Sequence, residues 1–354
     1  MACTIEAPCK INLHLSIGEK RPDGFHELES LFAPLDFHDT LRLECGGKDG
    51  ECSLEMNWNT PIEVIPPVIP VKENLVFRAV SLFRERTGFG SGLFLRLDKR
   101  VPVGAGLGGG SSDAASCLLA LNSLAGDVLS MEKLSELAAV LGSDVPFFLG
   151  TDNSVCPPKN VCPSDRNVCP PAAYVGGRGE LVRPVKTPRG LWVLLVKPDF
   201  SSDTAAAFRL LDQMRNGDRR PGDRFHQGDR RLGDRFHLSP REEKKSLIDR
   251  QNPPVDDLIT AFGEAPETWP FYNDFLPVFL ASGDHQNADQ YRVILAALKD
   301  AGASFSGLSG AGSCCFGVFR EKETAEKAGK RLAIPGNFVK LTFFLAKKTI
   351  PVLE

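Results

Sequence analysis

No uninterrupted apolar run in the chain approaches the roughly 20 residues that a membrane-spanning helix needs, so no membrane partner is expected. The opening Met1-Ala2-Cys3-Thr4-Ile5-Glu6 has neither a basic start nor a long apolar segment, which argues against a signal peptide. An excess of one charge sign is missing too. The formal net charge is -3 over 354 residues, which leaves no global electrostatic reason to expect a nucleic-acid partner. A Walker-type phosphate loop is also absent, because Gly47-Lys48 runs into Asp49 and Gly329-Lys330 into Arg331 where that loop requires Ser or Thr. A soluble, cytoplasmic protein is the expectation that these absences leave.

What is present is ordinary for a globular protein. A 42% hydrophobic content supports a sizeable core, and the length suits two domains or one elaborated domain. The ten cysteines are scattered, with Cys314 and Cys315 adjacent, over a chain that needs no stapling, so reduced thiols are the simpler reading.

Periodicity organises the first half. Residues 8–45 read as strand, turn, strand: Ile11, Leu13, Leu15 and Ile17 alternate, Arg21-Pro22-Asp23-Gly24 supplies turn chemistry, and apolar character resumes from Leu28. Beyond the proline-rich stretch 61–70, a helix is expected over 74–86, a strand over 92–98 and a helix over 112–124. A further helix is capped by Ser130 and closed by Gly142. The second half offers a strand at 191–196, helices near 204–214, 273–281 and 290–301, and strands flanking the glycine-rich 307–313. Mixed strands and helices make the class α+β.

Two segments read as inserts. Residues 152–172 repeat a short Asn/Val/Cys/Pro unit around Cys156, Cys162 and Cys169; without a fourth ligand or tight C-x-x-C pairing, a loose loop is favoured over zinc. Within 213–255, residues 217–227 are followed at once by their near-copy 228–238. That Gly/Asp/Arg-rich tandem duplication cannot bury a core, and disorder is expected.

The stretch Val103-Gly104-Ala105-Gly106-Leu107-Gly108-Gly109-Gly110-Ser111-Ser112-Asp113 carries the most chemistry. Glycines let a backbone take positive φ and approach a ligand, and the helix that follows offers unpaired N–H groups to an anion. Gly104, Gly106 and Gly109 also satisfy the G-x-G-x-x-G of a dinucleotide turn. In that fold, however, the glycines follow a strand almost at once, whereas here Asp98 to Pro102 intervene. Asp144, in Gly142-Ser143-Asp144-Val145-Pro146, reads either as a helix N-cap or as a general base. Lys10, charged within an apolar strand, either points to water or pairs with a carboxylate or phosphate.

Pro8-Cys9-Lys10-Ile11-Asn12-Leu13, the glycine-serine loop 102–112, Gly142 to Pro146 and Leu308-Ser309-Gly310-Ala311-Gly312-Ser313 together, in that order, resemble the motifs of the GHMP small-molecule kinases. Arg21-Pro22-Asp23-Gly24-Phe25-His26-Glu27-Leu28 is similar to the substrate loop of one branch of that family. That branch phosphorylates the 2-hydroxyl of a cytidine diphosphate derivative of methylerythritol in a route to isoprenoid precursors.

The resemblance implies a two-domain α+β fold, divided as 1–185 and 186–354, with the site in the cleft between an N-terminal α+β domain and a C-terminal α/β sandwich. It implies ATP and Mg2+, and a monomer or weak homodimer. Asp144 would be the base and Lys10 would orient the hydroxyl. The phosphates of ATP would lie along Pro102, Val103, Gly104, Ala105, Gly106, Leu107, Gly108, Gly109, Gly110, Ser111 and Ser112. Asn74 would touch the adenine, unless it only caps a helix, and the metal would come with ATP near Ser111 or Ser112. Asn12 would bind the acceptor's methylerythritol part, His26 would read the cytosine edge, and Phe25 and Phe208 would stack on the base. Phe25 replaces a frequent tyrosine, and Asp113 stands where Asn or Asp would both be family-like.

Overall fold

Alternation in the first 45 residues builds a long hairpin. In the computed structural model, which describes residues 1–46, 51–59, 70–89, 92–150, 172–216, 253–345 and 351–353, β1 (Ala2–Lys20) pairs antiparallel with β2 (His26–Cys45). At the tip Arg21 N–H donates to the Phe25 carbonyl at 2.6 Å, and Gly24 takes φ 86, which glycine adopts without a Cβ penalty. Register shifts between Pro8 and Lys10, Asn12 and His14, and Ile17 and Lys20 bend the pair.

Bending lets one strand thread three cores. Cys3 and Ile5 pack in the first, against α1 (Leu75–Thr87) and α2 (Gly109–Leu124). Cys9, Ile11 and Leu13 enter the second core, and Leu15 and Ile17 the third. The opposite face of the same strand is polar yet buried: Lys10, Asn12, His14 and Ser16 are all under 4% exposed. A strand buried on both faces, with one face polar, marks an interior cleft.

Seven strands form the first sheet, in which β11 (Val352–Leu353), β1, β2, β4 (Leu93–Lys99) and β3 (Cys52–Trp58) lie side by side. β5 (Ala173–Gly177) adds to β2, and β6 (Leu181–Pro184) to β5. The helices α1, α2, α3 (Met131–Leu141) and α4 (Val145–Leu149) contribute to the first core.

The second sheet is antiparallel in the order β10 (Phe338–Phe343), β7 (Trp192–Lys197), β9 (Cys315–Phe319), β8 (Phe305–Leu308). Central β7 is continuously apolar because both its faces are covered: Val193 and Leu195 join the second core, Leu194 and Val196 the third. α6 (Val255–Phe262) lies on the second core. On the third lie α5 (Thr204–Asn216), α7 (Phe275–Leu280), α8 (His285–Asp300) and α9 (Lys322–Leu332).

Several expected boundaries move. α2 starts at Gly109 rather than 112, because Gly108 at φ 68 turns the chain into a helix that residue propensity alone disfavours. α8 starts at His285 rather than 290, where the Asp284 carboxylate accepts from Asn287 N–H at 3.2 Å. α5 runs on to Asn216 and α6 opens at Val255, so both ends of the expected 213–255 insert belong to helices. The cysteine repeat and the duplicated 217–238 lie outside the described residues. Among the described residues no helix is long and apolar enough to cross a membrane.

Candidate active site

A cavity of about 880 Å³ opens between the polar face of β1, the glycine loop and the N-terminal part of α5. Lys10, Asn12, Phe25, His26, Asn74, residues 102–111, Asp144 and Phe208 all line it, so nearly every residue expected at the site borders one space. Ser112 does not. It is fully buried within the first turn of α2.

The glycine loop is folded with its carbonyls inward. Gly104 O accepts from Ser202 N–H at 3.1 Å, Ala105 O from Cys314 N–H at 3.1 Å, Gly106 O from Ser309 Oγ at 2.8 Å and Leu107 O from Lys10 N–H at 2.9 Å. Among the described residues, no amide from Ala105 to Ser111 donates to a protein acceptor. Undonated N–H groups gathered at a helix N-terminus in this way make a nest that can receive an anion.

Glycine is required here for space as well as for φ. Gly104, Gly106 and Gly108 take φ 64, 72 and 68, and a Cβ on Gly106 would stand 2.0 Å from the Ser309 carbonyl oxygen. The Ser309 hydroxyl also accepts from Asn12 N–H at 3.2 Å, which clamps the second glycine loop to β1. Asn273 Nδ2 holds that second loop from behind, donating to Leu308 O and Gly310 O at 2.8 Å each.

Asp144 occupies the N-cap position of α4 but makes no capping hydrogen bond. Its Oδ2 instead lies 3.3 Å from Lys10 Nζ, with the aspartate side chain 31% exposed and the lysine 4%. Lys10 Nζ donates to Asn12 Oδ1 at 2.5 Å and sits 4.5 Å from the centre of the Phe32 ring. Asn12 Nδ2 donates to Ser30 Oγ at 2.9 Å, so this asparagine is fixed from both sides. Asn74 keeps its capping role, its Oδ1 accepting from Val76 N–H at 2.9 Å, while its side chain borders the cleft.

Beneath the nest lies a charge cluster to which the sequence reading assigned no role. Lys99 Nζ donates to Asp113 Oδ2 at 2.7 Å and also to Asp39, and all three residues are buried. Burial above all, together with the neighbouring Asp39 charge, pushes the Asp113 carboxyl up to about 7 against the pull of Lys99. Burial works against the Lys99 ammonium, but Asp113 and Asp39 hold it at about 12. A signal for Lys99 was present, since Leu93, Leu95 and Leu97 alternate on the buried face of β4 and Lys99 continues that register.

At the far end of the cleft lie the three rings expected there. His26, not Phe25, stacks on Phe208, with ring centres 5.0 Å apart and planes 21° apart. Phe25 is 48% exposed and lies under the Arg178 guanidinium, 5.0 Å from the ring centre. Residue 25 sits in the hairpin turn and residue 26 on the strand, which directs the two rings apart. Among the described residues no group of three or more His, Cys, Asp or Glu could hold a metal, and Ser111 lies on the cleft wall.

Residues 74–151 match the family model "GHMP kinases N terminal domain", and residues 287–337 match "GHMP kinases C terminal". A 4-diphosphocytidyl-2-C-methyl-D-erythritol kinase of Thermodesulfovibrio yellowstonii is 32% identical over 92% of this chain and 93% of its own. Another, of Treponema pallidum, is 32% identical over 93% of this chain and 94% of its own. A crystal structure of a 4-(cytidine 5'-diphospho)-2C-methyl-D-erythritol kinase superposes with TM-score 0.62 at 28% identity, covering 96% of this chain and 98% of that one. A homoserine kinase from Cytophaga hutchinsonii shares the fold, with TM-score 0.58 at 17% identity over 99% of this chain and 97% of that one.

Proposed function

The chain belongs to the 4-diphosphocytidyl-2-C-methyl-D-erythritol kinases within the GHMP kinase family, and from that membership we propose how its cleft carries out the transfer. It is a phosphotransferase that uses ATP to phosphorylate the 2-hydroxyl of the cytidylyl alcohol, a step toward isoprenoid precursors.

The triphosphate lies along the amides from Ala105 to Ser111, which compensate part of its charge. Bound with the nucleotide, Mg2+ would neutralise phosphate charge, and Ser111, on the cleft wall, rather than the buried Ser112, would be the hydroxyl to contact it. Asn74 borders the adenine. Asp144 accepts the proton of the attacking hydroxyl as its oxygen bonds to the γ-phosphorus, the β–γ bridging P–O bond breaks, and ADP leaves. Lys10 holds that hydroxyl and the transferred phosphoryl through the same ammonium that pairs with Asp144 at 3.3 Å. Asn12 fixes Lys10 and borders the methylerythritol part of the acceptor. His26, Phe208 and Phe25 receive the cytosine.

The observation that carries this reading is a nest of undonated amides opening onto the same cleft as an uncapped aspartate paired with a buried lysine. Assays with ATP and the cytidylyl alcohol, beside mevalonate and homoserine, are expected to show turnover of the first alone. Asp144→Ala is expected to lower kcat by about 10²–10⁴-fold while nucleotide affinity stays within about twofold. Turnover of mevalonate or homoserine instead would overturn the substrate, and unchanged kcat in Asp144→Ala would overturn the base.

A further inference from the structure

α5 presents two residues one turn apart to the same imidazole. Phe208 covers the face of the His26 ring, and Asp212 Oδ1 stands 2.7 Å from its Nε2. Lys20 Nζ stands 3.6 Å from Asp212 Oδ2, so the carboxylate is shared between an ammonium and the ring edge. The His26 side chain is 7% exposed, borders the cleft, and has no other side-chain hydrogen bond among the described residues.

An ionised carboxylate only accepts hydrogen bonds, so the hydrogen of a neutral His26 belongs on Nε2, and Nδ1 is left with a lone pair. We propose that Asp212 is a positioning and specificity-determining residue that fixes His26 as the Nε2–H tautomer, so that Nδ1 accepts from an amino group on the bound base. This deepens the functional reading above and rests on it. Cytosine carries an exocyclic amine where uracil carries a carbonyl oxygen. Against Nδ1 the amine makes a hydrogen bond, whereas the carbonyl sets two acceptors face to face with water excluded. Leaving such buried acceptors unpaired is the costly case for recognition. Specificity for a cytidylyl over a uridylyl acceptor thus comes from a carboxylate on the opposite side of the ring.

Two measurements test it. ¹⁵N NMR of His26 in the ligand-free wild-type protein at neutral pH is expected to show the Nε2–H tautomer, and Asp212→Ala is expected to show a mixture of both tautomers. Kinetically, Asp212→Ala is expected to raise KM for the cytidylyl acceptor about tenfold with kcat within about twofold. It should also narrow the preference over the uridylyl analogue, and Asp212→Asn, which keeps one acceptor oxygen, should recover most of the KM. A wild-type ring protonated on Nδ1 or on both nitrogens overturns the proposal, as does an unchanged cytidylyl preference in a folded Asp212→Ala protein. If the wild type turns over no cytidylyl acceptor at all, the functional reading fails, while the NMR result still reports on Asp212 by itself.

Discussion

Two carboxylates and one ammonium share a dry site under the glycine loop, and that imbalance has a pH signature. Asp113 is held at about 7 by burial and by Asp39, well above the carboxylate range near 4 of an unfolded chain. Between those values the folded protein binds a proton that the unfolded chain has released, so the contribution of Asp113 to stability falls as pH rises through that window. Asp113→Asn removes the titration and leaves Lys99 paired with Asp39. Its stability relative to wild type is expected to climb from about pH 4 to about pH 7 and level off beyond. Urea melts at matched pH values measure this, and parallel curves would refute it. Lys10 shows why such residues are only half legible: sequence marks a charge in an apolar strand, but its direction depends on what covers the strand's second face. For Asp144 the capping geometry that its position suggests is not made, and only the folded backbone reveals that.

At the scale of elements, the glycine loop and its helix divide into positions that tolerate a methyl group and positions that do not. Gly106→Ala would drive a Cβ against the Ser309 carbonyl at φ 72, separating the two glycine loops, and is expected to cost more than about 1 kcal/mol. Gly110→Ala meets nothing nearer than Leu75 Cδ1 at 3.8 Å and lies in the first turn of α2. That change is expected to be neutral or to stabilise by up to about 1 kcal/mol. Thermal melts of the pair would show opposite signs, and equal losses would refute the steric account. The elements themselves were largely readable, because capping residues such as Asn74 and Ser130 act locally. The start of α2 was not, because tertiary contacts override a glycine-rich run. The contact between His26 and Phe208 was not legible either, because adjacent residues at a turn point apart and sequence does not say which one reaches Phe208.

Across the whole molecule, one hairpin strand contributes to all three cores, and β7 contributes both faces to two of them. The two sheets are therefore expected to unfold together, giving a single calorimetric transition whose van't Hoff and calorimetric enthalpies agree. Two separated transitions would mean that the sheets are independent units. Nucleotide binding should raise that one transition, since anything bound by the native state alone stabilises it by mass action. The α+β class and the order of motifs were legible because alternation and glycine spacing survive any connection. The closing of the first sheet by β11 was not, because a two-residue strand carries no period.

The polar stripe on β1 has one more consequence. Because side chains alternate with a period of two, a hairpin paired one residue out of register would push Lys10, Asn12, His14 and Ser16 into apolar cores and turn Ile11 and Leu13 toward the cleft. Such a chain loses its interior at the same stroke as the lysine of its cleft. Errors of pairing are thus removed by instability and do not persist as folded but idle molecules, and the population that survives folding is one whose chemistry is already aligned.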